Sequence, residues 1–184
     1  MTINLMYHNV KPTQELVVSD YDISLEDLEL DIKCVQDSDS KDVNFTFDDG
    51  QDGSLLAAEL LSQYQMRGIF FIISDKIGSK GYLNEVEVRK IHQMGHTIGS
   101  HSHTHPMFNE LPDNEVIFEL QKSKDILENI TSSVVASFAF PGGKRKRHHS
   151  LIARDMGFEE VFNSFERYAR QTQIEIPRFH VRQS

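Results

Sequence analysis

The 184 residues contain no tryptophan and one cysteine, and no apolar run approaches the ~18 residues a membrane helix needs. A lone Cys34 excludes an internal disulfide, and in a helix-like stretch it reads as a small buried apolar residue. Positive charge is also scarce, with 19 Lys and Arg against 28 Asp and Glu and a net charge of -9. That balance disfavours nucleic acid as a partner, because nonspecific binding needs a basic surface. The start, "MTINLMYHNV", lacks the basic segment and apolar stretch of a signal peptide. The expectation is a soluble, cytoplasmic chain with no membrane span. What remains is ordinary globular material, 39% apolar and 26% charged, long enough to bury a core. No repeat or linker interrupts residues 1–184, which are read as a single domain.

Periodicity predicts alternating elements. "INLMYHNV" (3–10) reads as a first strand and 11–22 as a loop. Ser24, with Asp27 three residues on, opens a helix whose apolar positions are Leu25, Leu28, Ile32 and Val35. The 37–42 stretch is a turn, and "VNFTF" (43–47) is a strand ending at Asp48. A helix capped by Asp52 or Ser54 runs toward Gly68, read as its terminating glycine, and "IFFII" (69–73) is a buried strand. Asn84 caps the next helix, "TIGSH" (97–101) is a short strand, and Pro112-Asp113 opens a long helix with Val116, Ile117, Leu120, Leu127 and Ile130 inward. "VVASFAF" (134–140), the helix "SLIARDM", and strands in "EEVFNS" and "EIPRFHV" complete the chain. This alternation implies a parallel sheet with helices outside it, as a closed barrel or an open doubly wound sheet.

In such folds chemistry gathers at the carboxyl ends of strands. Asp48-Asp49, His101 to His105, Pro141 to Gly143, and Arg178 with His180 all fall at or in such strands. His101 and His105 are four apart, a spacing that suits one helical turn and sets both imidazoles on one side, with His103 pointing elsewhere. With a carboxylate they make a divalent-metal site, zinc by default, with cobalt or nickel able to take similar ligands. At the end of a strand, with Gly50 permitting a turn, both carboxylates of "DDG" can converge on one cleft. Asp49 then ligates the metal and Asp48 serves as a base, the cation offsetting their repulsion. His8 reads as a satisfied core histidine, with a place near the site floor as the alternative. "KRKRHH" (144–149) reads as a solvated loop, or as a positive patch that attracts an anionic substrate.

"TFDDG" followed by "GHTIGSHSHTHP", with "LMYHNV" and "SFAFPGG", resembles the polysaccharide deacetylases of the NodB-homology type, carbohydrate esterase family 4, from Leu5 to Val181. The resemblance implies a single-domain distorted (β/α) barrel of about seven parallel strands. It also implies metal-dependent removal of an N-acetyl group from an amino sugar in a polysaccharide or glycan precursor. Carried over by position, Asp48 is the catalytic base and Asp49, His101 and His105 hold the metal. The family's Arg-x-Pro-Tyr segment reads Ala139-Phe140-Pro141-Gly142 here, so the arginine is missing while Gly142 can still offer a backbone N–H to an oxyanion. Arg178 is the candidate to replace that arginine from another strand. The family's Asp and Trp motif has no counterpart. Phe179-His180 approximates its terminal Leu-x-His, which makes His180 the candidate general acid beside a plain packing role. The losses leave two rivals open, a binding module without turnover and an O-deacetylase on the same site.

Overall fold

The structure is a computed structural model that describes residues 2–38, 42–164 and 174–181; part of the expected 37–42 turn lies outside the described residues. Among the described residues seven parallel strands form the main sheet: β1 (Ile3–Tyr7), β4 (Val43–Phe47), β5 (Gly68–Ile72), β6 (Thr97–Ser100), β7 (Ser137–Ala139), β8 (Glu160–Phe162) and β9 (Phe179–His180). Their spatial order is β8-β7-β6-β5-β4-β1-β9. The two edges meet through the last segment. Ile176 exchanges backbone hydrogen bonds with the β8 region, donating to Val161 at 2.7 Å and accepting from Asn163 at 3.0 Å, while β9 pairs with β1. The result is a distorted (β/α) barrel.

Side-chain alternation along β5 explains both of its faces. Phe70 and Ile72 enter the large core under the helices, with Phe45, Phe47 and Leu28. Ile69 and Phe71 turn into the barrel, where Phe71 packs with Ala139 and Phe162. Each fully buried phenylalanine contributes about 1.5–3 kcal/mol. Gly99 leaves the space Phe71 occupies, since a Cβ there would lie 2.5 Å from the ring.

Among the described residues five helices cover the outside: α1 (Leu25–Asp37), α2 (Gly53–Gln63), α3 (Glu85–Gln93), α4 (Asp113–Thr131) and α5 (His149–Asp155). Ser24 caps α1 by accepting the Asp27 N–H at 3.0 Å, and Asn84 with Glu87 forms a complete capping box on α3. No helix among the described residues is long and apolar enough to cross a membrane.

Several expectations are corrected. The first strand divides at His8. Asn9–Lys11 (β2) leaves the main sheet and pairs with Asp22–Ser24 (β3) in a parallel ribbon, so the expected loop carries a strand and a short 3₁₀ turn at Gln14–Leu16. Gly68 opens β5, and Gln65 takes the left-handed conformation after α2 instead. Asp52 precedes α2 without a side-chain cap. Ile117 is 46% exposed, because the buried stripe of α4 runs through Val116, Leu120, Leu127 and Ile130 and a neighbour of Val116 sits ~100° away. Cys34 is exposed for the same reason, two residues beyond buried Ile32. The strands at 97, 134 and 175 are shorter than expected, and the last is a regular strand only over Phe179–His180, with an isolated bridge at Ile176.

Candidate metal centre and catalytic pocket

The chain reverses where β4 ends. Asp49 (φ 73°) and Gly50 (φ 69°) are both left-handed, a conformation that aspartate tolerates better than most residues. The reversal turns the Asp49 carboxylate back over the strand end beside Asp48, although strict alternation would separate them.

The histidines arrive from the end of β6 without a helical turn. Residues 101–107 are irregular, and Ser102 (φ 67°) and His105 (φ 64°) are left-handed. Side-chain hydrogen bonds hold this loop. The Ser102 hydroxyl accepts the His105 N–H at 3.0 Å. Glu119, buried on α4, accepts the N–H groups of His103 and Thr104 at 2.8 Å each and the Thr104 hydroxyl at 2.7 Å. His103 does point elsewhere, its Nδ1 2.8 Å from the Ser74 hydroxyl.

Together these turns bring Asp49, His101 and His105 to one point. Asp49 Oδ1 lies 3.5 Å from Nε2 of each histidine. Tetrahedral ligands on bonds of ~2.0–2.1 Å are ~3.3 Å apart, so the spacing suits one cation. The tautomer suits it as well. Ala139 C=O can only accept, and His101 Nδ1 lies 2.8 Å from it, so Nδ1 carries the proton and the Nε2 lone pair faces Asp49. Burial lowers the His101 pKa to about 3 and lowers that of His105, keeping both rings neutral.

Asp113, His148 and His149 form a second grouping of similar composition, at the starts of α4 and α5. Its tautomer is the opposite one. His149 Nδ1 accepts the Lys146 N–H at 3.4 Å, which puts the ring proton on Nε2, the nitrogen facing Asp113. His148 Nε2 lies at hydrogen-bond distance, 2.8 Å, from Asp113 Oδ1 on the exposed surface. The basic run is partly spent locally, since Lys146 donates to Leu111 C=O at 2.7 Å and Arg145 pairs with Glu175. His149 is fully buried at the start of α5 rather than in the loop.

Arg178 is fully buried between β8 and β1. It donates to Asp48 through both arms of its fork, at 2.5 and 2.8 Å. Its Nε donates to Asn163 C=O at 3.1 Å, and the guanidinium lies over the Phe71 ring at 5.1 Å. Every arm is therefore occupied. Burial pushes the Asp48 carboxyl up, but Arg178 and then His101 pull it well below the usual carboxylate range. Asp49 goes the other way, raised to about 7 by burial and by the charge of Asp48. The adjacent carboxylates are thus pushed in opposite directions, Asp48 toward its charged form by an arginine and Asp49 away from it by burial and its charged neighbour.

All of this opens onto a pocket of about 760 Å³. Asp48, Asp49, His101, His105, Gly142 and His180 line it. A polysaccharide deacetylase family profile matches residues 35–161, more than half of the chain. The chain belongs to the polysaccharide deacetylase family. Among curated relatives of this chain, YxkH of Bacillus subtilis (strain 168) is 29% identical over 120 residues, covering 65% of this chain and 43% of YxkH. The peptidoglycan-N-acetylglucosamine deacetylase of Bacillus cereus (strain ATCC 14579) is 26% identical over 135 residues, covering 72% of this chain and 61% of that enzyme. The chain thus spans about half the length of these relatives. The Streptococcus pyogenes deacetylase PplD, solved in complex with acetate, superposes with a TM-score of 0.87 at 18% identity, over 98% of this chain and 92% of that one, a likeness of fold.

Three features escaped the reading of the sequence. Glu119 signals itself only as a carboxylate on an otherwise buried helix stripe. Tyr21 and Ser19 lie in the presumed loop but line the pocket. His8 is on the pocket wall rather than packed away, with a buried Nδ1 that has no hydrogen-bond partner among the described residues.

Proposed function

We propose that the chain is a metal-dependent N-deacetylase acting on an N-acetylated amino sugar in a polysaccharide or glycan precursor. The observation that carries the reading is Asp48, a buried carboxylate that stays ionised beside a three-ligand set without belonging to it. A site built only to hold metal has no use for it.

Asp49, His101 and His105 would hold the cation, zinc by donor type with cobalt or nickel as alternatives. A divalent cation there supplies Lewis acidity toward an acetyl carbonyl and toward water. Asp48 accepts the proton of the attacking water. Its depressed pKa makes it a weaker base, which the Arg178 fork offsets by fixing its orientation and guaranteeing its charge. The N–H of Gly142, on the pocket wall, is the candidate donor to the oxyanion. His180, on the same pocket, is the candidate acid for the departing amine, which leaves poorly as an anion.

The test is acetate release from an N-acetylglucosamine oligomer, with zinc, cobalt or nickel added, by wild type and Asp48→Asn. Metal-dependent release that falls by about 10²–10⁴ in the variant is expected. Equal release by both proteins, or none by wild type under any metal, would contradict the reading.

A further inference from the structure

One wall of the pocket is built by no part of the metal centre. The β2–β3 ribbon carries Tyr21 to the rim, where its ring is 59% exposed. Beneath it stands His8, ring centroids 4.8 Å apart and edge-on at 70°. His180 completes the group, 5.4 Å from Tyr21 and 5.2 Å from His8. Ser19 and Asp22 border the same wall, and Met107 and Gly142 stand among the other lining residues.

An exposed tyrosine ring held by two others has little orientational freedom left to lose on binding. His8 lines the pocket, and of its two ring nitrogens only Nδ1 is closed off from water, which leaves Nε2 to meet a ligand. A ring face beside such a nitrogen suits a pyranose, which packs its C–H face on an aromatic ring and needs partners for its hydroxyls.

We propose that Tyr21 and His8 form a saccharide subsite in which the Tyr21 ring stacks on a pyranose of the substrate and His8 bonds one of its hydroxyls, setting the acetamido group against Asp48. This rests on the deacetylase reading for its substrate class. The two residues bind and position the substrate, and neither moves a proton in the reaction.

The probe is the tetramer of N-acetylglucosamine, titrated calorimetrically into zinc-loaded wild type, Tyr21→Leu, Tyr21→Phe and His8→Phe, with acetate release followed in parallel. Tyr21→Leu is expected to weaken binding and raise KM about tenfold, with kcat within about twofold. Tyr21→Phe keeps the ring and stays near wild type, and His8→Phe weakens binding with zinc affinity intact. Tyr21 is exposed, so its variants should fold, and thermal melting checks His8→Phe. Tetramer binding indifferent to Tyr21→Leu, Tyr21→Phe losing as much as Tyr21→Leu, or no binding to wild type would overturn the subsite. The two readings fail separately. Binding through Tyr21 without acetate release keeps the subsite and removes the deacetylase. Acetate release with a KM indifferent to Tyr21→Leu does the reverse.

Discussion

Replacing Arg178 with methionine, similar in length and uncharged, removes two charge-assisted hydrogen bonds to Asp48, at 2.5 and 2.8 Å, and leaves that carboxylate buried without its counter-ion. Breaking a buried pair from one side typically costs about 3–5 kcal/mol. The lost bond to Asn163 C=O adds to it. With the arginine gone, burial dominates and the Asp48 pKa moves above the usual carboxylate range, each unit being about 1.4 kcal/mol. The pH dependence follows from linkage. Asp48 in the native protein titrates below its unfolded value, so the pair's contribution is complete above the ordinary carboxylate range and fades as pH falls through the depressed value. The difference between wild type and Arg178→Met should therefore be largest near neutral pH and shrink as pH falls from the variant's raised Asp48 value toward the depressed value of the wild type. Urea unfolding of chelator-treated protein at neutral and acid pH measures it. The double variant Asp48→Asn/Arg178→Met should be less destabilised than Arg178→Met alone, because no buried charge is left unpaired. A loss under about 1 kcal/mol, or one independent of pH, would refute the reasoning. Activity should fall with it, and Arg178→Lys, which keeps the charge without the fork, should lie between.

Glu119→Ala should weaken metal binding about 10–100-fold by freeing the loop that carries His105, with Glu119→Gln recovering part; unchanged affinity would remove its positioning role. Asp49 is protonated below about pH 7 in the metal-free protein, so metal binding there must release its proton. Affinity should then fall roughly tenfold per pH unit below that value, and calorimetry in buffers of different ionisation enthalpy should register the proton. Gly53→Ala should lower stability by about 1–3 kcal/mol in thermal melts, since the new Cβ would sit 2.1 Å from Val10 O unless the ribbon moves; a neutral result would contradict that contact.

The grouping of Asp49, His101 and His105 was legible because ligand chemistry restricts such a candidate set to few residue types and strand ends restrict where it can sit. "DDG" and "HSHTH" satisfy both conditions. The means of convergence was not legible. Spacing suggested a helical turn for His101 and His105, whereas left-handed residues and the Glu119 hydrogen bonds bring them together. Arg178 carried a partial signal, as a cation in a strand otherwise fit for burial. Glu119, Tyr21 and His8 carried almost none, since their partners lie 13 or more residues away and exist only once the barrel is built. Cys34 and Ile117 were misplaced for a simpler reason. Residue type was weighed over angular position, and ~100° per residue puts both toward solvent.

The central claim is that Asp49, His101 and His105 hold one divalent cation, with Asp48 outside its ligand set. Cobalt(II) binding, followed by visible absorption, tests it most directly. The account predicts one cobalt per chain in a low-symmetry, tetrahedral-type environment, lost in Asp49→Ala and His101→Ala and kept in Asp48→Asn and Asp113→Ala. A cobalt signal that survives loss of Asp49 and His101 but disappears with Asp113 would contradict it.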